Sequence, residues 1–281
     1  SRLLAEARIK ANTSRVWMKS AILERLLGHY DLSLSILDQA IQAYPDFYKL
    51  WVIKGQIYQE NMKDLIKARE HYAKAVKRLP NCSLLWILAS RVEEEAGAPI
   101  KARAILEKAR ILNPKNADLW TEAVLVEKRG GNAAMAKALI SKALQECSHS
   151  GALWCEMILL ENRPQRKARS ADALKHCEND PLVVCTVARL FWMDRKIDTA
   201  RKWFQRAIKT NSDLGDTWAW WLKFEMQHGS SEQQKEVVDK FILAEPRHGV
   251  EWPKEMKKLE NTGRKPQDVL AILVSRLEPS L

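Results

Sequence analysis

Apolar residues return along this chain in two superimposed rhythms. Over short stretches they fall at helical spacing: Trp51, Gly55 and Tyr58 lie at i, i+4 and i+7, and Ala68, Tyr72, Ala75, Val76 and Leu79 share a face further on. This pattern predicts two amphipathic helices, A and B. The polar break Glu60-Asn61-Met62-Lys63-Asp64 separates them and Pro80 stops the second. The next unit has the same grammar: Trp86, Ala89 and Val92, a turn at Gly97, then Ala102, Leu106, Ala109, Leu112 and Pro114. The slower rhythm is tryptophan itself, at Trp17, Trp51, Trp86, Trp120, Trp154, Trp218 and Trp252. Its spacings are 34, 35, 34, 34, 64 and 34, the 64 being two shorter units whose middle anchor is Val184. A fixed period of this size marks a supersecondary unit that cannot bury its apolar face alone, so copies must stack. The expectation is an all-α protein, an α-solenoid superhelix of about eight helical-hairpin repeats forming a single array over residues 1–281.

Residue size within the repeat has a steric logic. The tryptophan fills the gap between one helical pair and the next. Ala68 and Ala75, Ala102 and Ala109, Ala136 and Ala143, and Ala200 and Ala207 mark where helix B approaches helix A. A bulky residue there wedges the hairpin open. A glutamate follows the anchor by seven residues in five units: Glu24, Glu93, Glu127, Glu161 and Glu225. Ala102-Arg103, Ala136-Lys137 and Ala200-Arg201 follow it by sixteen, while Ala68-Arg69 comes one residue late and Ala168-Arg169 two early. A carboxylate late on helix A and a cation early on helix B are thus placed to pair across one hairpin and fix its orientation. The Trp, Glu and Ala-Arg grammar resembles the half-a-TPR (HAT) repeat, a relative of the tetratricopeptide (TPR) repeat. That resemblance covers nearly the whole chain and implies an RNA-processing protein.

The array is uneven in its middle. Glu127 to Ala136 spans nine residues but Glu161 to Ala168 seven; Ala136 to Trp154 spans eighteen but Ala168 to Val184 sixteen. The expectation is two residues lost from each of two connections, marked by Pro164 and Pro181, with an irregular junction and a change of superhelical curvature over residues 160–185. Asp180-Pro181 reads as an N-cap and first helical residue. Residues 1–12, apolar at Leu3, Leu4, Ala7 and Ile9, read as the B helix of a preceding repeat, which suggests a chain cut from a longer protein. Glu278-Pro279-Ser280-Leu281 looks like a natural or near-natural end.

Composition narrows the class. With 46% hydrophobic and 29% charged residues, the chain suits helices that bury one face and solvate the other. Ten glycines and ten prolines in 281 residues are too few for a β-sandwich or a disordered linker. No run of about eighteen apolar residues predicts a membrane-spanning helix, and the charged start Ser1-Arg2-Leu3-Leu4-Ala5-Glu6 is not a secretory signal. Five cysteines (Cys82, Cys147, Cys155, Cys177, Cys185) without CxxC spacing fit free thiols in a reducing compartment. The net charge of +11 is uneven: residues 1–140 carry 23 Lys and Arg against 15 Asp and Glu, residues 141–281 carry 23 against 20. Such an excess suits acidic proteins or RNA as partners, although the same charges also serve simply to solvate helices.

Candidate chemistry is absent from the motifs. There is no glycine-rich phosphate loop, GxSxG, HExxH or paired CxxC. Gly130-Gly131 falls at an A-to-B turn, and the neighbours His176 and Cys177 point apart on a helix. The reading is a non-enzymatic protein with no catalytic, cofactor-binding or metal residues, no cofactor and no small-molecule substrate. The candidate partner-binding residues are Arg195, Lys196, Arg201, Lys202, Trp203 and Trp220, within a basic and aromatic stretch that also holds Trp192, Arg206 and Lys209. Aromatic residues and arginine are favoured interface anchors, and basic-aromatic mixtures also suit single-stranded RNA. Trp218 and Trp221 lie on the anchor stripe and are expected in the core, with Trp220 off it and exposed. Reversing the charges of Arg201 and Lys202 is expected to weaken partner binding without unfolding the chain. Two further basic stretches, Arg163, Arg166, Lys167 and Arg169, then Lys254, Lys257, Lys258, Arg264 and Lys265, read as solvated faces.

Four stretches carry a closer resemblance: Lys142 to Trp154, Arg163 to Lys175, Ser212 to Trp218 and Ala244 to Gly249. They are similar to the C-terminal repeats of the pre-mRNA-processing factor six family of spliceosomal proteins, and the last repeat, from Trp252, is the least similar part. The resemblance implies a nuclear scaffold of the tri-snRNP that bridges its U-five and U-four/U-six particles. Its partners would be other splicing proteins, with weak or indirect RNA contact and no membrane. On the residues alone three other readings stay open. One is another HAT-repeat scaffold, such as an mRNA 3′-end cleavage factor that homodimerises. The others are a protein prenyltransferase α subunit and a direct RNA binder.

Overall fold

The structure, a computed structural model, describes residues 2–278. The expected chain end at Pro279-Ser280-Leu281 lies outside the described residues. Helices joined by short turns make up the described residues; no strand occurs among them, and the extended pairing present is an isolated bridge between Leu214 and His248. None of these helices is long and apolar enough to cross a membrane. Two compact units are formed, Ser1–Lys142 and Ala143–Leu281. The first holds α1 (Arg2–Ala11), α2 (Ser14–Leu26), α3 (Tyr30–Ala43), α4 (Tyr48–Gln56), α5 (Leu65–Arg78), α6 (Ser83–Glu95), α7 (Pro99–Leu112), α8 (Ala117–Arg129) and most of α9 (Ala133–Glu146). The second holds α10 (Gly151–Leu160), α11 (Arg163–His176), α12 (Pro181–Met193), α13 (Ile197–Thr210), α14 (Gly215–His228), α15 (Ser231–Ala244), α16 (Trp252–Met256) and α17 (Pro266–Arg276). From α2 onward the even-numbered helices are A helices carrying the anchors, and the odd-numbered ones are B helices.

Six of the seven anchor tryptophans have a second task that residue volume does not reveal. Trp51, Trp86, Trp120, Trp154, Trp218 and Trp252 donate the indole N–H to the carbonyl six residues earlier, at 2.8–2.9 Å. The acceptors are Pro45, Pro80, Pro114, Ser148, Ser212 and Pro246, all in the loop that enters helix A. One side chain therefore fills the gap and satisfies a loop carbonyl. Four of the six acceptors are proline, which stops the preceding helix and brings no N–H of its own. The close-approach alanines at 68, 75, 102, 109, 136, 143, 200 and 207 are all fully buried. Gly151 and Gly215, each three residues before its tryptophan, admit a neighbour into backbone contact. A Cβ on Gly151 would meet Asp180, the N-cap of α12, at 2.1 Å, and one on Gly215 would meet the Trp252 ring at 2.1 Å.

Departures from the period have local causes. After α4 comes one π turn, Ile57–Asn61, which accommodates one residue more than an α turn. It absorbs the extra residue of the 35-residue spacing, so Ala68 reaches its buried place despite arriving late. The short unit needs a correction. Helix α6 has thirteen residues and a three-residue turn before α7; α10 has ten residues and a two-residue turn, Glu161-Asn162, before α11. Four residues link α11 to α12, as four link α7 to α8. The whole deletion therefore lies in helix A and its turn, and the connection before Pro181 is full length. Since α11 and α7 are both fourteen residues long, Arg166 takes the place of Ala102. Ala168 is exposed, not a close-approach alanine, and the small buried residues are Ser170 and Ala173.

The expected Glu–Arg pairing across a hairpin is also corrected. Arg69 binds Glu93, Arg103 binds Glu127 through two hydrogen bonds, and Arg201 binds Glu225 through two more. Each arginine sits on helix B of one repeat and each glutamate on helix A of the next, 24 residues on. The motif joins consecutive repeats. In the shortened unit, by contrast, Arg169 reaches Glu161 of its own hairpin at 3.3 Å. The last repeat does likewise: Glu255, three residues after Trp252, accepts from Lys258 and from Arg276 of α17, each at 2.7 Å. Sequence reasoning missed Glu255 because α16 is only five residues long and the glutamate sits closer to its anchor.

Candidate protein-interaction site

The basic, aromatic stretch is shaped by the turn from α12 to α13. Arg195 adopts the left-handed conformation (φ 58°) that lets the chain reverse in three residues. The amides of Arg195 and Lys196 close the turn on the carbonyls of Trp192 and Phe191, both at 2.9 Å. Lys196 then lies with its Nζ 5.8 Å from the centre of the Phe191 ring. Phe191 packs on Trp203 at 5.8 Å, and the Arg206 guanidinium covers Trp203 at 5.0 Å. The result is a row of two packed rings between two cations, Lys196, Phe191, Trp203 and Arg206, each ring with a cation at its face.

A second basic stretch joins this row. Arg163, Arg166, Lys167 and Ser170 of α11 face Val187, Leu190, Phe191 and Met193 of α12 around a small pocket of about 60 Å³, closed by Asp194 and Lys196. Arg163 reaches Asp194 at 3.5 Å. Arg166 donates to the main-chain oxygen of Glu161 at 2.9 Å, which fixes it at the shortened turn. Lys167 and Lys196 have no ion-pair partner among the described residues. Tertiary packing thus unites two stretches some thirty residues apart in sequence.

The six expected site residues are not all on this surface. Lys196 and Trp203 belong to the row, Arg195 forms its turn, and Lys202 is exposed on α13. Arg201 is held by Glu225, a carboxylate only 1% exposed, and the pairing raises the arginine pKa. Reversing its charge would set two carboxylates against each other in the core, so Arg201 and Lys202 cannot be reversed together without disturbing the fold. Trp220 stands apart: the Arg189 guanidinium lies 3.7 Å above its ring. Trp192 is buried, its indole N–H donating to His228 Nε2 at 2.9 Å. Trp218 and Trp221 are in the core, stacked at 5.8 Å. Of the cysteines, all free, Cys185 lies in the core with its thiol pushed up to about 12 by burial, which disfavours the nucleophilic thiolate.

Residues 48–273 match the family described as PRP6, TPR-like domain. The chain is 42% identical over 276 residues to pre-mRNA-splicing factor prp1 of Schizosaccharomyces pombe, covering 98% of this chain and 30% of that protein. It is 50% identical over 115 residues to pre-mRNA-processing factor 6 of Homo sapiens, covering 41% of this chain and 12% of that one. Against pre-mRNA-splicing factor 6 of Saccharomyces cerevisiae it is 28% identical over 274 residues, covering 94% of this chain and 30% of that one. The chain spans less than a third of the length of these curated relatives. Among solved structures, a tetratricopeptide repeat protein from Parabacteroides merdae aligns over 94% of this chain and 99% of its own, with a TM-score of 0.48 at 15% identity.

Proposed function

Because the chain belongs to the PRP6 TPR-like domain family, we propose that it is a non-enzymatic scaffold segment in pre-mRNA splicing. It holds other splicing proteins of the tri-snRNP against its helical hairpins, in the nucleus, and so helps to bridge that particle's components. The relatives named as splicing factors support the process. One observation carries the interface: cations from two separate stretches, Arg163, Arg166, Lys167 and Lys196, gather around an apolar floor with a single carboxylate among them. Such a surface accepts an apolar side chain flanked by acidic groups, and its charge selects against basic partners. Arg201 lies outside it, engaged in joining repeats.

Affinity purification of the longer parent protein carrying Lys167→Glu, Lys196→Glu and Arg206→Glu checks this reading. The expected outcome is loss of co-purifying splicing proteins, tri-snRNP components among them, with the melting temperature unchanged. An unaltered partner set removes this surface from the interface. Recovery of 3′-end cleavage proteins instead replaces the tri-snRNP assignment, and partners lost on ribonuclease treatment alone point to RNA as the ligand.

A further inference from the structure

The first unit holds an open groove of about 520 Å³ on the side of its B helices. Helix α6 forms the floor with Trp86 and Ala89, α5 one wall with Ala73 and Val76, extended by Pro80 in the loop that follows, and α7 the other with Ala104, Ile105 and Leu112. The Trp86 indole N–H is engaged by the Pro80 carbonyl at 2.8 Å, so the groove floor carries no free indole donor. Arg69 and Glu93 also line it, neutralising each other at 2.8 Å.

Residue size explains why space remains here. The positions thirteen and ten residues before this anchor are Ala73 and Val76; in the following repeat they are Glu107 and Arg110. There the Arg110 side chain folds over the anchor, its guanidinium carbon 4.5 Å from the centre of the Trp120 ring. Ala73 and Val76 are too short to do the same, so the α5 wall stays low and an open groove remains between α5 and α7, while Trp86 beneath it is, like Trp120, only 4% exposed. Two exposed lysines, Lys77 on α5 and Lys108 on α7, stand along opposite walls, and neither has an ion-pair partner among the described residues.

We propose that this groove docks an acidic peptide segment of a partner protein, inserting one bulky apolar side chain between the α5 and α7 walls, flanked by Lys77 and Lys108. The apolar walls supply the anchor pocket, and carboxylates on either side of the inserted residue answer the two unpaired ammonium groups. A segment lacking the apolar residue leaves the groove unfilled, and a basic segment meets two like charges. The inference deepens the scaffold reading and rests on it, while using a surface other than the Lys196 row.

Fluorescence anisotropy on this chain tests it, with a dye-labelled twelve-residue peptide of glutamates around a central leucine-phenylalanine pair. Ala73→Gln with Ala104→Gln, which puts longer neutral side chains at two exposed positions of the groove walls, is expected to weaken binding by about tenfold or more with the melting temperature kept. Lys77→Glu with Lys108→Glu, confined to exposed positions, is expected to weaken it by a similar factor and to favour a lysine-flanked version of the peptide. A peptide with serines in place of the apolar pair should bind weakly or not at all. Absence of saturable binding up to millimolar peptide, wild-type affinity in either double variant, or equal binding by the serine peptide overturns the proposal. Oligouridine that competes in wild type but not in the lysine double variant reassigns the groove to RNA. Loss of the peptide result, with co-purification through the Lys196 row intact, removes the groove and leaves the scaffold standing.

Discussion

The hairpins α6–α7 and α10–α11 begin from the same residue types and use them differently. In α6–α7, Glu93 accepts from Arg69 of the preceding repeat, and Arg103 donates to Glu127 of the following one. In α10–α11, Arg169 turns back to Glu161 of its own hairpin, and Arg166 ties down the main-chain oxygen at that turn. The cause is the shorter helix A, which ends beside the start of helix B and brings the terminal glutamate within reach of its own arginines. The regular motif is therefore a fastener between repeats, whereas the shortened one seals a single hairpin. Sealing has a structural consequence: Arg163 and Lys167, at the start of α11, are presented beside Lys196 instead of being drawn into the stack.

The comparison breaks most sharply at the arginines. Arg201→Ala leaves the Glu225 carboxylate, 1% exposed, without its two-pronged partner, at a cost of about 3 kcal/mol. Arg169→Ala removes two longer contacts, 3.3 Å to Glu161 and 3.6 Å to Asp172, from a half-exposed side chain, costing about 1 kcal/mol or less. Urea denaturation of the two variants measures the difference, and equal losses would show that the two arginines have the same structural role. The alanine register gives the next largest effect. Ala109→Leu forces a side chain into a fully buried contact and should cost about 1–3 kcal/mol. Ala168→Leu, on an exposed face, should stay within about 0.5 kcal/mol. Comparable melting temperatures for the two leucine variants would restore the alternative register for α11.

The smallest effect is a matter of pH. Glu122 joins regular repeats by accepting from Arg91 at 2.6 Å and Arg129 at 2.8 Å. Burial pushes its pKa up, but the two guanidiniums together outweigh burial and hold it below its ordinary 4.5. A folded-state pKa below the unfolded one gives stability that is present above the ordinary value and lost as pH falls through the folded one. Glu122→Gln should therefore be less stable than wild type near neutrality, with the gap closing as pH drops below about 4.5. Thermal melts across that range read the gap; one that stayed constant would exclude the linkage.

Much of this was legible in the chain itself. Tryptophan period, alanine spacing and turn residues set the helical hairpins, because a repeat returns every side chain to the same local environment and those environments are decided within a few residues. Asp180 as a helix cap is of this local kind: its carboxylate accepts from the amides of Leu182 and Val183. Trp218 and Trp221 in the core follow equally from one helical stripe. The candidate site was half legible. Lys196 and Trp203 follow from composition, but the contribution of Arg163, Arg166 and Lys167 does not, since they lie on another hairpin.

What tertiary structure alone decided are the questions of reach. Whether Arg103 binds the glutamate before it or after it depends on how far a long arginine side chain extends across a helix pair, and periodicity is the same for both answers. Whether four missing residues come from one turn or two depends on which helix shortens, and total length is the same for both. Burial sorts the extra tryptophans likewise, sending Trp192 inward and leaving Trp203 under Arg206 at the surface. Local chemistry fixes the unit because its interactions span a turn or two of helix; partner choice is left to packing because long side chains answer to whichever neighbour the stack brings within a few ångströms.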